Sequence, residues 1–149
     1  MKSISYILIL FVLNACNLSD EIIKINADWQ IYYEGKHNVI AEGRMKGRYY
    51  VIPCEVVKYC HDENFIIVMQ NPQRECFLQI DTIDYKYGLN KVYYWIVLNK
   101  SGKLLGPMNI EELNRTRKLY KIPDQLKLET VFEVIRYELR QIQSTKIPC

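Results

Sequence analysis

Where a folded body can begin in this chain is set by its first sixteen residues. Met1 and Lys2 lead into an apolar stretch over residues 4–13, which ends in Leu13-Asn14-Ala15-Cys16. A short basic start, an apolar run and a small residue before a cut is the order of a secretory signal. The run is shorter than the roughly 20 residues a membrane-spanning helix needs, so it reads as a cleaved segment. Leu13 and Ala15 stand at lipobox positions around Asn14, which makes Cys16 the expected lipidation site, through a diacylglycerol thioether. Two or three acyl chains hold far better than one, because each buried CH₂ contributes roughly 0.8 kcal/mol. The expected organisation is a signal peptide over 1–15, a polar tether over 16–21 and one domain over 22–149. Asn17 rather than Asp follows the cysteine, which argues against inner-membrane retention. Asp20 and Glu21 give the tether the acidic character compatible with surface display.

Cleavage before Cys16 removes fifteen of the 149 residues and leaves 134, enough for a single domain with its own core. The formal charge of +3 falls to +2 once Lys2 is lost, which gives no electrostatic case for nucleic acid. Twelve tyrosines favour strands over disorder. Beyond Cys16 the cysteines are Cys54, Cys60, Cys76 and Cys149. Disulfides persist outside the cytoplasm, and the expectation is one bridge within Cys54, Cys60 and Cys76. Buried apolar thiols are the alternative. A zinc site using Cys54, Cys60, His61, Asp62 and Cys76 is disfavoured. Zinc pairs sit two to four residues apart, whereas five residues separate Cys54 from Cys60. No metal and no cofactor is expected.

From Glu21 to about Val97 the pattern is that of strands. Ile22, Ile23 and Ile25 open one. Trp29, Ile31 and Tyr33 alternate with Gln30, Tyr32 and Glu34 at the period of a half-buried strand. Gly35 to Asn38 reads as a hairpin turn, Val39 to Ala41 as the return, and Gly43 to Gly47 as a loop or bulge. The β-rich run from Tyr49 to Tyr59 is interrupted by Pro53, which marks an edge or bulge. Residues 65–69 are apolar on both faces and predict a central strand; residues 77–83 are a further candidate. Residues 92–98 make a strand, Asn99 to Gly102 a turn, and Lys103 to Leu105 a return that ends at Gly106-Pro107. Asn109 and Glu112 have capping-box spacing, so a helix is expected over 110–120, closed by Pro123. Leu128, Val131, Phe132, Ile135, Leu139 and Ile142 form one apolar stripe, which predicts a last helix over 129–143. The expected fold is α+β: an antiparallel β-sheet of about five to seven strands with two C-terminal helices packed on one face.

The segment Tyr94-Trp95-Ile96-Val97, then Gly102-Lys103-Leu104-Leu105-Gly106-Pro107-Met108-Asn109-Ile110-Glu111-Glu112-Leu113, resembles an uncharacterised family of small bacterial lipoproteins. That family has no assigned activity, so the resemblance implies no catalytic residue. The same stretch is similar to the core of GYF-type adaptor domains, in the spacing of Gly102, Gly106-Pro107, Glu111, Glu112 and Leu113. Such domains bind proline-rich peptides on aromatic side chains. The resemblance implies Tyr93, Tyr94 and Trp95 as ligand contacts.

The remaining candidates are weaker. Arg44, Lys46 and Arg48 alternate and could meet lipid headgroups, although three cations on a solvated strand are ordinary surface. The pairs Tyr32-Tyr33, Tyr49-Tyr50 and Tyr93-Tyr94 could stack sugars, with cross-strand packing as the simpler expectation. A Gly-x-Ser-x-Gly elbow, a His-Glu-x-x-His helix and a phosphate-cradling glycine loop are all absent from the sequence. The expectation is therefore a lipid-anchored cell-envelope protein, not an enzyme, on the outer-membrane, periplasmic or surface side. Its membrane contact is the acyl anchor, and its role is structural or binding. The alternative is a peptide- or glycan-binding module using Tyr93 to Trp95.

Overall fold

The computed structural model describes residues 21–33, 39–76 and 82–133. The signal run, Cys16, the turn from Gly35 to Asn38 with His37, most of the strand expected over 77–83, the last helix beyond Glu133, and Cys149 lie outside these residues.

Four strands come first, in a meander ordered as in sequence: β1 (Glu21–Lys24), β2 (Trp29–Tyr33), β3 (Val39–Met45) and β4 (Arg48–Ile52). Every neighbouring pair is antiparallel. The stretch expected as a loop from Gly43 to Gly47 is strand up to Met45. The turn itself is only Lys46 and Gly47, with φ of 49° and 76°. Two successive positive φ values make the type I′ turn, whose twist matches the strands it joins.

The second sheet has the order β8-β7-β6-β5-β9. Its strands are β5 (Val56–His61), β6 (Phe65–Gln70), β7 (Tyr93–Leu98), β8 (Lys103–Met108) and β9 (Glu129–Thr130). The doubly apolar run over 65–69 is indeed central, as β6, with Ile66, Ile67 and Val68 fully buried. A strand covered on both faces has no use for alternation. A bulge between Val56 and Lys58 shifts the register of β5, so that Val56 and Tyr59 point to one side and Cys60 to the other.

The single sheet of five to seven strands is thus corrected, among the described residues, to two sheets of four and five strands. Pro53 does interrupt the β-rich run, but as the crossover between sheets. The inner faces of both sheets are apolar and cover each other: Trp29, Ile31, Ala41 and Ile52 from the first meet Val56, Ile66, Val68, Trp95 and Val97 from the second. The outer face of the second sheet carries Cys60, Ile67, Ile96, Leu98 and, from β8, Met108; the helix α1 (Ile110–Tyr120) closes it through Leu113, together with Ile122 just past the helix end.

The capping box starts α1 where the sequence places it. The Asn109 side chain accepts from the Glu112 N–H at 2.8 Å, and Glu112 accepts from the Asn109 N–H at 2.9 Å. Lys121, at φ 54°, turns the chain out of the helix. Residues 129 and 130, expected as helix, instead pair with β5, and helix opens only over 131–133. Val131 is buried in the core between the sheets and Phe132 meets Tyr33 edge-on at 5.4 Å. The two helical segments therefore do not share one face. The second sheet has two apolar sides, and each takes one of them.

Cys54 and Cys76 are joined as a disulfide with Cα atoms 5.9 Å apart, and Cys60 is a free, buried thiol. The bridge ties the crossover to a short 3-10 turn (Arg74–Cys76) that follows β6. The same two segments already exchange the backbone bonds Glu55 N–H to Asn71 O (2.9 Å) and Asn71 N–H to Glu55 O (2.8 Å). Replacing both cysteines by serine should therefore leave the fold intact and cost about 3 kcal/mol, the chain-entropy value for a loop of this size. The check is a urea midpoint with and without dithiothreitol. Reductant should lower it in the wild type and leave the double variant unmoved; a wild type indifferent to reductant would refute the bridge.

Candidate functional site

The strand expected to contact a ligand is built into the core. Trp95 is 4 % exposed, and its indole N–H donates to Gln70 Oε1 at 2.7 Å. Tyr93 is fully buried; its hydroxyl donates to Gly88 O (3.0 Å) and accepts from the Tyr87 N–H (2.9 Å). Trp95 packs into the core between the sheets, and Tyr93 is covered by the loop that carries Tyr85, Tyr87 and Gly88. Tyr94, on the other side, is half-buried and borders a shallow apolar groove of about 300 Å³ with Tyr87, Val92 and Ile110. Of the three candidate contacts, Tyr93 and Trp95 thus lie in the core and Tyr94 at its margin.

The cysteine region does not gather into a metal centre. Among the described residues no group of three His, Cys, Asp or Glu side chains comes together. Burial pushes the Cys60 thiol up to about 11, which keeps it protonated and unreactive. His61 is exposed and stacks on Tyr59, with ring centroids 6.2 Å apart. Arg44 and Arg48 are exposed on β3 and β4, and Lys46 sits in the turn between them.

A richer constellation lies on the outer face of the first sheet. The alternation that turns Trp29 and Ile31 inward turns Gln30 and Tyr32 outward, and β3 likewise presents Glu42 and Arg44. Register does the rest. Lys24 pairs with Gln30, Gln30 with Glu42, and Arg44 with Tyr49, so four strands place five chemically different side chains in two adjoining rows. These residues line a cleft of about 600 Å³, together with the loop that carries Asn26 and Asp28. Asn26 Oδ1 holds that loop by accepting the N–H groups of Asp28 and Trp29, both at 2.8 Å.

Glu42 is the hub. It accepts a hydrogen bond from the Tyr49 hydroxyl and another from Gln30 Nε2, at 3.3 Å; Gln30 Nε2 also donates to the Tyr32 hydroxyl. The bond to the carboxylate, reinforced by burial and by the charge of Glu42, pushes the Tyr49 hydroxyl up to about 12. Tyr49 is 56 % exposed, so its hydroxyl is fixed while its ring faces solvent. A neutral, oriented phenol beside a shared carboxylate is a hydrogen-bonding and stacking surface.

In the sequence Tyr49 stands out as one of a pair and Arg44 as one of three cations, while Gln30 and Glu42 do not stand out. The signal was present as the polar half of the period-2 pattern. What the pattern cannot carry is which polar residue of one strand faces which of the next.

No curated protein matches this chain, and no solved structure matches it. A family model described as Protein of unknown function (DUF3997) does match, over residues 26–134, which takes in eight of the nine described strands and α1. With well over half of its length covered, the chain belongs to that family of unknown function.

Proposed function

We propose that this is a lipid-anchored protein of the bacterial cell envelope, with a binding or structural role and no catalytic one. The observation that carries the reading is the run over 4–13 followed by Leu13-Asn14-Ala15-Cys16. Two further facts support it. The Cys54–Cys76 bridge is chemistry that persists in an oxidising compartment. The first strand opens at Glu21, so four residues of chain separate it from Cys16. A body tethered that closely stays at the membrane surface on the outer-membrane, periplasmic or surface side.

The test is metabolic labelling with an alkyne analogue of palmitate. Wild type should be tagged and partition with membranes. Cys16→Ala should lose the tag altogether and, if still exported, appear in the soluble fraction. Equal labelling of the two proteins would end the lipoprotein reading.

A further inference from the structure

The cleft on the outer face of the first sheet has a composition that selects among ligands. Its polar side chains differ in hydrogen-bonding sense: Glu42 only accepts, Lys24 and Arg44 only donate, and Gln30 does both. A sugar hydroxyl is likewise donor and acceptor at once. A phosphate chain offers acceptors alone and would be repelled by Glu42 and Asp28, while an apolar peptide would find too little apolar wall. Beside these groups stands one exposed aromatic ring, that of Tyr49, whose hydroxyl is already held by Glu42. A ring fixed before the ligand arrives loses little freedom on binding. The C–H face of a pyranose is the complement of such a ring.

Two cations flank the cleft, Lys24 on β1 and Arg44 on β3. Neither belongs to an ion pair among the described residues, where the pair formed is Lys86 with Glu112. Trp29 lines the same cleft. Its Nε1, on a side chain 1 % exposed, is the one buried side-chain nitrogen or oxygen without a hydrogen-bond partner among the described residues. The indole is packed into the core, so Trp29 reports on the cleft as part of its floor and is not counted among the groups that bond the ligand.

We propose that this cleft is a carbohydrate-binding site for an acidic sugar. The pyranose face lies on Tyr49, hydroxyls bond to Gln30 and Glu42, and the sugar carboxylate is held by Arg44 and Lys24. The site does not depend on the anchor, so it stands or falls separately from the envelope reading.

The test is an NMR titration of the ¹⁵N-labelled protein with three acidic probes: oligogalacturonate, N-acetylneuraminate and N-acetylmuramate. Maltotriose serves as the neutral control. At least one acidic probe should shift the backbone signals of Gln30, Glu42, Arg44 and Tyr49 and the Trp29 indole N–H. Maltotriose should bind at least about tenfold more weakly, and Tyr49→Ala and Arg44→Met should each lose at least about tenfold in affinity. Both positions are exposed, so the urea midpoints of these variants should stay within error of the wild type. The proposal is overturned if none of the three acids moves these signals at about 10 mM, if the shifts map elsewhere, if maltotriose binds equally well, or if both variants keep full affinity.

Discussion

Gly43→Ala is expected to destabilise the protein by about 3 kcal/mol and to shift tryptophan emission to longer wavelength. Gly43 lies in β3 directly opposite Trp29 in β2, and the indole occupies the space a side chain would need. A Cβ at Gly43 would sit 2.4 Å from both Cδ2 and Cε2 of Trp29, and 2.7 Å from the Asp28 carbonyl oxygen. Neither neighbour is a flexible end. The indole is walled in by the core between the sheets, and the carbonyl accepts the Arg44 N–H at 3.0 Å. The indole must therefore tilt out of its seat or β2 must part from β3. Gly47→Ala is the control. Gly47 has φ of 76° and nothing within 4 Å of a would-be Cβ, so its alanine should cost about 1 kcal/mol through backbone strain alone and leave the emission unchanged. Equal losses for the two alanines would mean that Trp29 does not rest on Gly43.

Gln70→Leu is expected to cost about 4 kcal/mol, close in shape though the two side chains are. Gln70 is fully buried at the end of β6. Its Nε2 donates to Pro53 O and to the Tyr85 hydroxyl, both at 2.9 Å, and its Oε1 accepts the Trp95 indole N–H at 2.7 Å. One side chain thus joins the crossover between sheets, the loop after residue 82 and the middle of β7. Leucine fills the space but strands the indole N–H and the Pro53 carbonyl in a dry interior, at about 1–3 kcal/mol for each unsatisfied group. Tyr85 is half-buried and can turn to water, so the loop around it should loosen first. Denaturant midpoints measure the total, and limited proteolysis within residues 82–91 should accelerate before any other cut. A leucine variant of wild-type stability would show that these three bonds contribute nothing net.

The elements legible in the sequence were those whose causes are local. The β7–β8 hairpin, the capping box and α1 lie within 28 consecutive residues (93–120), and each is fixed by contacts a few positions apart. β6 was legible because burial on both faces leaves its mark in the residues themselves. The division into two sheets was not, since Pro53 ends a strand equally well at an edge, a bulge or a crossover, and only the long-range partners of β4 and β5 decide. Gly43 looked like a breaker because a glycine in a strand reads as a kink; its reason was the indole of another strand. Gln70 directly follows the apolar run over 65–69 and carries no local mark of its role, because its three partners lie 15 to 25 positions away. The cleft was hidden for the same reason, being a product of register across four strands.

The first sheet is made entirely of residues before Pro53 and the second entirely of residues after it, so among the described strands no main-chain ladder crosses from one to the other. Adhesion between the halves therefore rests chiefly on the dehydration of Trp29, Ile31, Ala41, Ile52 and their counterparts. Attraction of that kind fades as water cools, whereas hydrogen-bonded ladders are much less affected. Chilling should thus weaken the seam between the halves before it disturbs either half, making this boundary the cold-sensitive plane of the molecule.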